Sequence, residues 1–223
     1  MKRITIALLA AVVGAGLMSS AYAADLIIEE PAEVGVVDVG GDWDGLYIGA
    51  HVGYGWGTAD HTSGPGFNDM DLSGWLAGVQ LGANFTVTDG IVAGIEGDIS
   101  WSGIGGVCDI TCNTVGITQD IDWVGSLRGR LGFDGGAFMP YVTAGVAFAS
   151  ATRDAPNLAP ADTQTHVGWT AGAGVEFMAA ENVSLNLEWR YTDLGEAEYD
   201  TGGIPPTIDL QFHQIRAGLN WHF

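Results

Sequence analysis

Trp43-Asp44-Gly45-Leu46-Tyr47-Ile48-Gly49-Ala50-His51-Val52-Gly53-Tyr54-Gly55-Trp56 decides how this chain folds. Leu46, Ile48, Ala50, Val52, Tyr54 and Trp56 alternate with Tyr47, Gly49, His51, Gly53 and Gly55. A period of two puts one set on each face of a β-strand, because successive side chains point to opposite sides. The pattern then recurs down the chain. Apolar sets fall at Trp75–Phe85 (opposite Leu76, Gly78, Gln80, Gly82 and Asn84), at Ile91–Trp101 (opposite Glu96, Asp98 and Ser100) and at Ile121–Phe133 (opposite Asp122, Ser126, Arg128 and Arg130). Further sets fall at Val142–Phe148, Val167–Phe177 (opposite Glu176), Val183–Tyr191 (opposite Glu188 and Arg190) and Ile215–Phe223 (opposite Arg216). About eight strands result, an even number as single-chain bacterial barrels require.

Connections alternate in length. Short turns are expected near Thr88–Gly90, Asp134–Met139 and Ala179–Asn182, and long loops over Gly57–Asp71, Gly103–Asp120, Ser150–Gln164 and Gly195–Thr207. Aromatic residues sort with them. Trp56, Trp75, Trp101, Trp123, Trp169 and Trp189 fall near the loop ends of their strands, and Phe85, Phe133, Phe177, Trp221 and Phe223 near the turn ends. Two aromatic girdles around an apolar band suit a bilayer, where amphipathic rings favour the headgroup level. A soluble core would scatter its aromatics along the strands. The expectation is an all-β fold: an eight-stranded antiparallel up-and-down transmembrane β-barrel with periplasmic turns. The uncharged run from Gly135 to Thr152 could be read as a membrane helix, but Pro140 and the period of two favour turn plus strand.

Upstream of Trp43 the period is lost. Lys2 and Arg3, the apolar run Ile4–Leu17 and the small-x-small triplet Ala21-Tyr22-Ala23 read as a signal peptide over residues 1–23. Residues 24–42, with Glu29, Glu30, Glu33 and Asp38, read as an acidic periplasmic leader before a barrel domain at 43–223. After the cleavage site there is no lysine, and five arginines face 27 acidic residues, which excludes nucleic-acid binding through phosphate contacts. With 47% hydrophobic residues and eight tryptophans the chain is not a disordered acidic one. Cys108 and Cys112 follow an export signal, so a local disulfide is expected; a metal site is the alternative, though two thiols without a nearby His are a poor ligand set.

Arg128, Arg130, Arg190 and Arg216 fall on the polar face with Glu96, Asp98, Asp122, Glu176 and Glu188. An eight-stranded barrel is just wide enough for side chains to fill it, and buried charges must pair. An interior ion-pair network that plugs the lumen is therefore expected. A charged, water-filled path is the alternative. His61, His166 and His213 are expected in or near loops, and His51 and His222 on inward faces; no HExxH, GxSxG or nucleotide-loop context occurs. No catalytic, cofactor-binding or metal residues are assigned, and no enzyme activity or cofactor is expected.

Trp43–Gly49, Ser126–Phe133, Gly168–Phe177, Glu188–Gly195 and the ending His213–Phe223 resemble the alphaproteobacterial small outer-membrane β-barrel proteins, the porin-like surface-antigen group of rhizobia and brucellae. The resemblance implies residence in the Gram-negative outer membrane, contact with lipid and lipopolysaccharide, and a structural role in the envelope. It also implies that terminal Phe223 is read by the barrel-assembly machinery. Dense carboxylates such as Asp60, Asp69 and Asp71 would attract divalent cations. A narrow pore and loop-mediated adhesion are the competing functions, and oligomeric state is left open.

Overall fold

A computed structural model describes residues 43–61, 70–107, 118–155, 159–198 and 207–223. The expected signal and leader segments, Asp69 and the Cys108–Cys112 pair lie outside the described residues. Eight strands run β1 (Gly45–His61), β2 (Met70–Thr88), β3 (Ile91–Val107), β4 (Thr118–Phe133), β5 (Phe138–Ala155), β6 (Ala159–Ala180), β7 (Val183–Glu198) and β8 (Thr207–His222). Each pairs antiparallel with its sequence neighbour, and β8 returns to β1, so the sheet is a closed barrel without edges. The Phe223 amide donates to the Leu46 carbonyl (3.0 Å) and completes the seam. Gly135–Thr152 is turn plus β5, with Pro140 on an outward position.

The turns are tight where the sequence supplies turn residues. Asp89-Gly90 joins β2 to β3, with Gly90 at φ +80°. In the β4–β5 turn the Gly136 amide donates to Asp134 Oδ1 (2.8 Å), with Gly136 also at φ +80°. At the opposite end the strands overrun the expected loops. β5 continues to Ala155 and β6 begins at Ala159, so most of the Ser150–Gln164 loop is ladder. Pairing continues there because each added residue keeps its backbone bonds satisfied, with cross-strand contacts such as Thr152 Oγ1 to Thr163 Oγ1 (2.9 Å).

The barrel is apolar outside. Val79 is 45% exposed and Leu187 53%, and Leu46, Leu81, Ile95, Leu131 and Val142 all exceed half. A water-soluble monomer rarely shows a contiguous apolar surface of this extent. Trp75, Trp101, Trp169 and Trp189 are exposed toward the loop end, and Phe85, Phe133, Phe177, Trp221 and Phe223 toward the turn end. Trp56 is 38% exposed and Trp123 half-buried on the same outer face. Trp75 to Phe85 and Trp123 to Phe133 each span about 33 Å of strand, which at barrel tilt rises about 25 Å, the height of an outer-membrane apolar band.

Candidate functional site

Inward positions of six strands meet in the middle of the lumen. Four arginines and four carboxylates are buried there, so their formal charges cancel. Arg128 on β4 is the hub. Its Nη1 donates to Glu188 Oε1 (2.8 Å) and Thr143 Oγ1 (2.9 Å), its Nη2 pairs with Glu96, and its Nε donates to Ser126 Oγ (3.1 Å). Asp98 on β3 accepts from Arg190 Nη1 (3.1 Å) and Arg216 Nη1 (3.0 Å), with Ser126 Oγ also donating to it. Arg190 Nε returns to Glu188 Oε1 at 2.8 Å. Nearer the turns, Arg130 pairs with Glu176, which also accepts from Ser184 Oγ and Asn220 Nδ2 (2.7 Å).

Two tyrosines link the clusters. Tyr47 donates to Glu96 Oε2 (2.6 Å) and Tyr141 to Glu188 Oε2 (3.2 Å), and the Arg130 guanidinium carbon sits 3.8 Å from the Tyr141 ring centroid. Each ring needs a glycine. Tyr47 is register-paired with Gly82 and Tyr141 with Gly174. A Cβ on Gly174 would lie 2.7 Å from Tyr141 Cζ, and one on Gly82 would fall inside the Tyr47 ring contact. The glycines thus leave the space that the two rings occupy.

Apolar clusters lie above and below the network. Toward the turns, Trp43, Val92, Met139 and Met178 form one buried cluster, and Trp43 Nε1 donates to the Gly136 carbonyl (3.1 Å). Toward the loops, Leu72, Leu76, Ile104, Ile121, Leu194, Leu210 and Phe212 are among the residues of a second. These caps were not anticipated. Their signal is in the chain: Leu72 and Leu76 share the parity of Gln80 and Asn84, and Leu210 and Phe212 that of Gln214 and Arg216.

Asp122 does not join the network. It is exposed, and its Oδ2 accepts from Thr152 Oγ1 (2.8 Å), while Ile121, expected on the lipid side, is buried. The cause is a β-bulge: the β4–β5 register shifts between Ile121 and Trp123. One extra residue reverses the inward–outward phase of everything beyond it. His213 and His166, expected in or near loops, lie within β8 and β6; Trp189 stacks on His213 at 5.7 Å, and His166 is buried. His51 is inward, between Gln80 Oε1 (2.9 Å) and Ser100 Oγ (2.8 Å), and His222 contacts Ser184 Oγ (2.9 Å). Among the described residues no three His, Cys, Asp or Glu side chains converge as a metal cage.

A family model described as "Outer membrane protein beta-barrel domain" matches residues 7–223. The 25 kDa outer-membrane immunogenic protein of Brucella abortus biovar 1 (strain 9-941) is 35% identical over 207 residues, 92% of each chain. The 22 kDa outer membrane protein of Rhizobium leguminosarum bv. viciae is 31% identical, over 86% of this chain and 83% of its own. The crystal structure of the outer membrane protein OprG from Pseudomonas aeruginosa superposes with a TM-score of 0.52 at 16% identity, covering 83% of this chain and all of its own. That likeness is one of fold.

Proposed function

Since the chain belongs to the outer-membrane β-barrel protein family, and so resides among lipid and lipopolysaccharide in the Gram-negative outer membrane, we propose that it is a non-conducting envelope barrel. Its lumen is structural filling, and its acidic outer rim draws divalent cations toward lipopolysaccharide. The observation that carries this reading is the neutral ion-pair network held between two apolar layers. A hydrated ion would have to break buried pairs and shed its water against Met139, Phe212 and their neighbours. Desolvating charge in such surroundings is costly. Purified protein in a planar bilayer is expected to stay silent; discrete, reproducible conductance steps would overturn the reading in favour of a narrow pore.

The rim carries Asp60, Asp71, Asp120, Asp122, Asp154, Asp193 and Asp209 against Arg153. Asp60 and Asp209 are directly opposite across β1–β8. Like charges in register repel, and counter-cations relieve this. Without a chelating cage among the described residues, cations are held by charge density, so Mg²⁺ and Ca²⁺ should act interchangeably. The name of the 25 kDa relative, an immunogenic protein, supports display of the rim at the cell surface. In the same reading residues 1–23 are removed on export, residues 24–42 remain periplasmic, and Phe223 presents the barrel to its assembly machinery.

A further inference from the structure

At the loop-side tryptophan belt the barrel carries a cleft of about 470 Å³ where β1 and β8 meet β2 and β7. Its floor is aromatic. Trp56 is directly opposite His213 in the β1–β8 register, and His213 directly opposite Tyr191 in the β7–β8 register. The Trp56 and His213 ring centroids are 5.9 Å apart, and those of Tyr191 and His213 5.1 Å. The wall is polar: Asp71, Thr58 and Gln211 stand in one register row a step further out. The Gln211 amide is fixed, because Tyr191 donates to its Oε1 (3.0 Å) and its Nε2 donates to Asp60 Oδ2 (3.2 Å).

We propose that this cleft is a carbohydrate subsite that takes one pyranose ring of an outer-leaflet glycolipid. A pyranose presents an apolar C–H face and a rim of hydroxyls, and an aromatic floor beside a carboxylate, an amide and a hydroxyl is complementary to both. Belt tryptophans need only the headgroup level to explain them. That preference gives no reason for a hydrogen-bonded amide–carboxylate wall beside the rings. The charge sets the chemistry further. Neither Arg nor Lys lines the cleft, and Asp71 and the neighbouring Asp60 oppose a phosphate, so the ring is uncharged or bears an amine. Trp56 in the cleft floor belongs to the loop-side aromatic belt at the headgroup level, which favours a lipid-borne sugar over a free one. This inference rests on the outer-membrane placement but not on the sealed lumen.

Saturation-transfer NMR on the barrel in phosphatidylcholine nanodiscs tests it, with methyl β-glucoside and glucose 6-phosphate as free probes and a glucosyl lipid as the lipid-borne one. Transfer from aromatic protons to the C–H protons of the glucoside is expected, with a several-fold weaker signal from the 6-phosphate. Trp56→Ala and Gln211→Ala should each reduce transfer about fivefold or more. Trp101→Ala, on β3 and outside the cleft, should leave it unchanged. The glucosyl lipid should be enriched around the wild-type barrel and not around Trp56→Ala. All variants must show the mobility shift of a folded barrel. Absence of transfer, equal transfer in all folded variants, or preference for the 6-phosphate would overturn the proposal. So would glucoside binding without enrichment of the glucosyl lipid. A conducting barrel that still binds the glucoside would contradict the sealed lumen alone.

Discussion

Replacing Arg130 by Met, Glu176 by Gln, and both together measures what the lumen network contributes. Arg130 on β4 and Glu176 on β6 pair directly past the intervening β5, with Arg130 5% exposed and Glu176 fully buried. Arg130→Met leaves Glu176 with the neutral donors Ser184 and Asn220 and with His222 Nε2 at 3.6 Å. Glu176→Gln leaves Arg130 with Glu96 at 4.0 Å, the Tyr47 hydroxyl at 3.3 Å and the ring of Tyr141. Stranding one member of a buried pair costs about 3–5 kcal/mol. With a urea slope of about 2 kcal/mol/M, either single change should lower the unfolding midpoint by about 2 M. The double variant removes both charges, and the hydrogen bonds that remain to the introduced amide are neutral ones. It should therefore be about 2 kcal/mol more stable than the sum of the singles predicts. Urea unfolding of the barrel in micelles, followed by tryptophan fluorescence, gives all three midpoints. Singles each costing under about 1 kcal/mol, or a double equal to the sum, would refute the view that these charges are desolvated and paired.

Gly174→Val should block the seat of Tyr141 and prevent a stable barrel, whereas Gly97→Leu, on the outer face with its nearest neighbour 3.8 Å away, should fold normally; heat-modifiable mobility in dodecyl sulfate separates the two. Trp43→Ala removes the largest ring of the turn-side cap and should cost about 3–5 kcal/mol in the same urea assay. Asp60→Asn with Asp71→Asn should reduce the stabilisation of cells or outer-membrane vesicles by added Mg²⁺, read as sensitivity to a chelator; unchanged sensitivity would remove the rim from cation binding. N-terminal sequencing of the exported protein should begin at Ala24.

Parity of side chains was the legible part of this fold. Eight strands, three short turns and the outward Trp and Phe sets all follow from alternation, because in an up-and-down barrel every strand obeys the same period and nothing long-range interrupts it. Parity also places Arg128, Arg130, Arg190 and Arg216 inside with Glu96, Asp98, Glu176 and Glu188, but not which pairs with which. That depends on register across neighbouring strands and on reach across the lumen, as between Arg190 and Asp98 on β7 and β3. Asp122 was misplaced because a bulge is a local change of phase, and the apolar Ile121 looked equally suited to lipid or to a lumen cap. Strand ends were underestimated for a related reason. Polar residues such as Thr152 and Thr163 read as loop, yet they continue the ladder once it has left the bilayer.

The account stands on which face of each strand touches lipid. In a Cys108→Ser, Cys112→Ser background reconstituted in lipid, spin labels at Val79→Cys and Leu187→Cys report it directly through collision rates with oxygen and with a water-soluble nickel chelate. Oxygen should relax both labels strongly and the chelate hardly at all. Free access of the chelate to either position would mean that water, not hydrocarbon, lies against the apolar face.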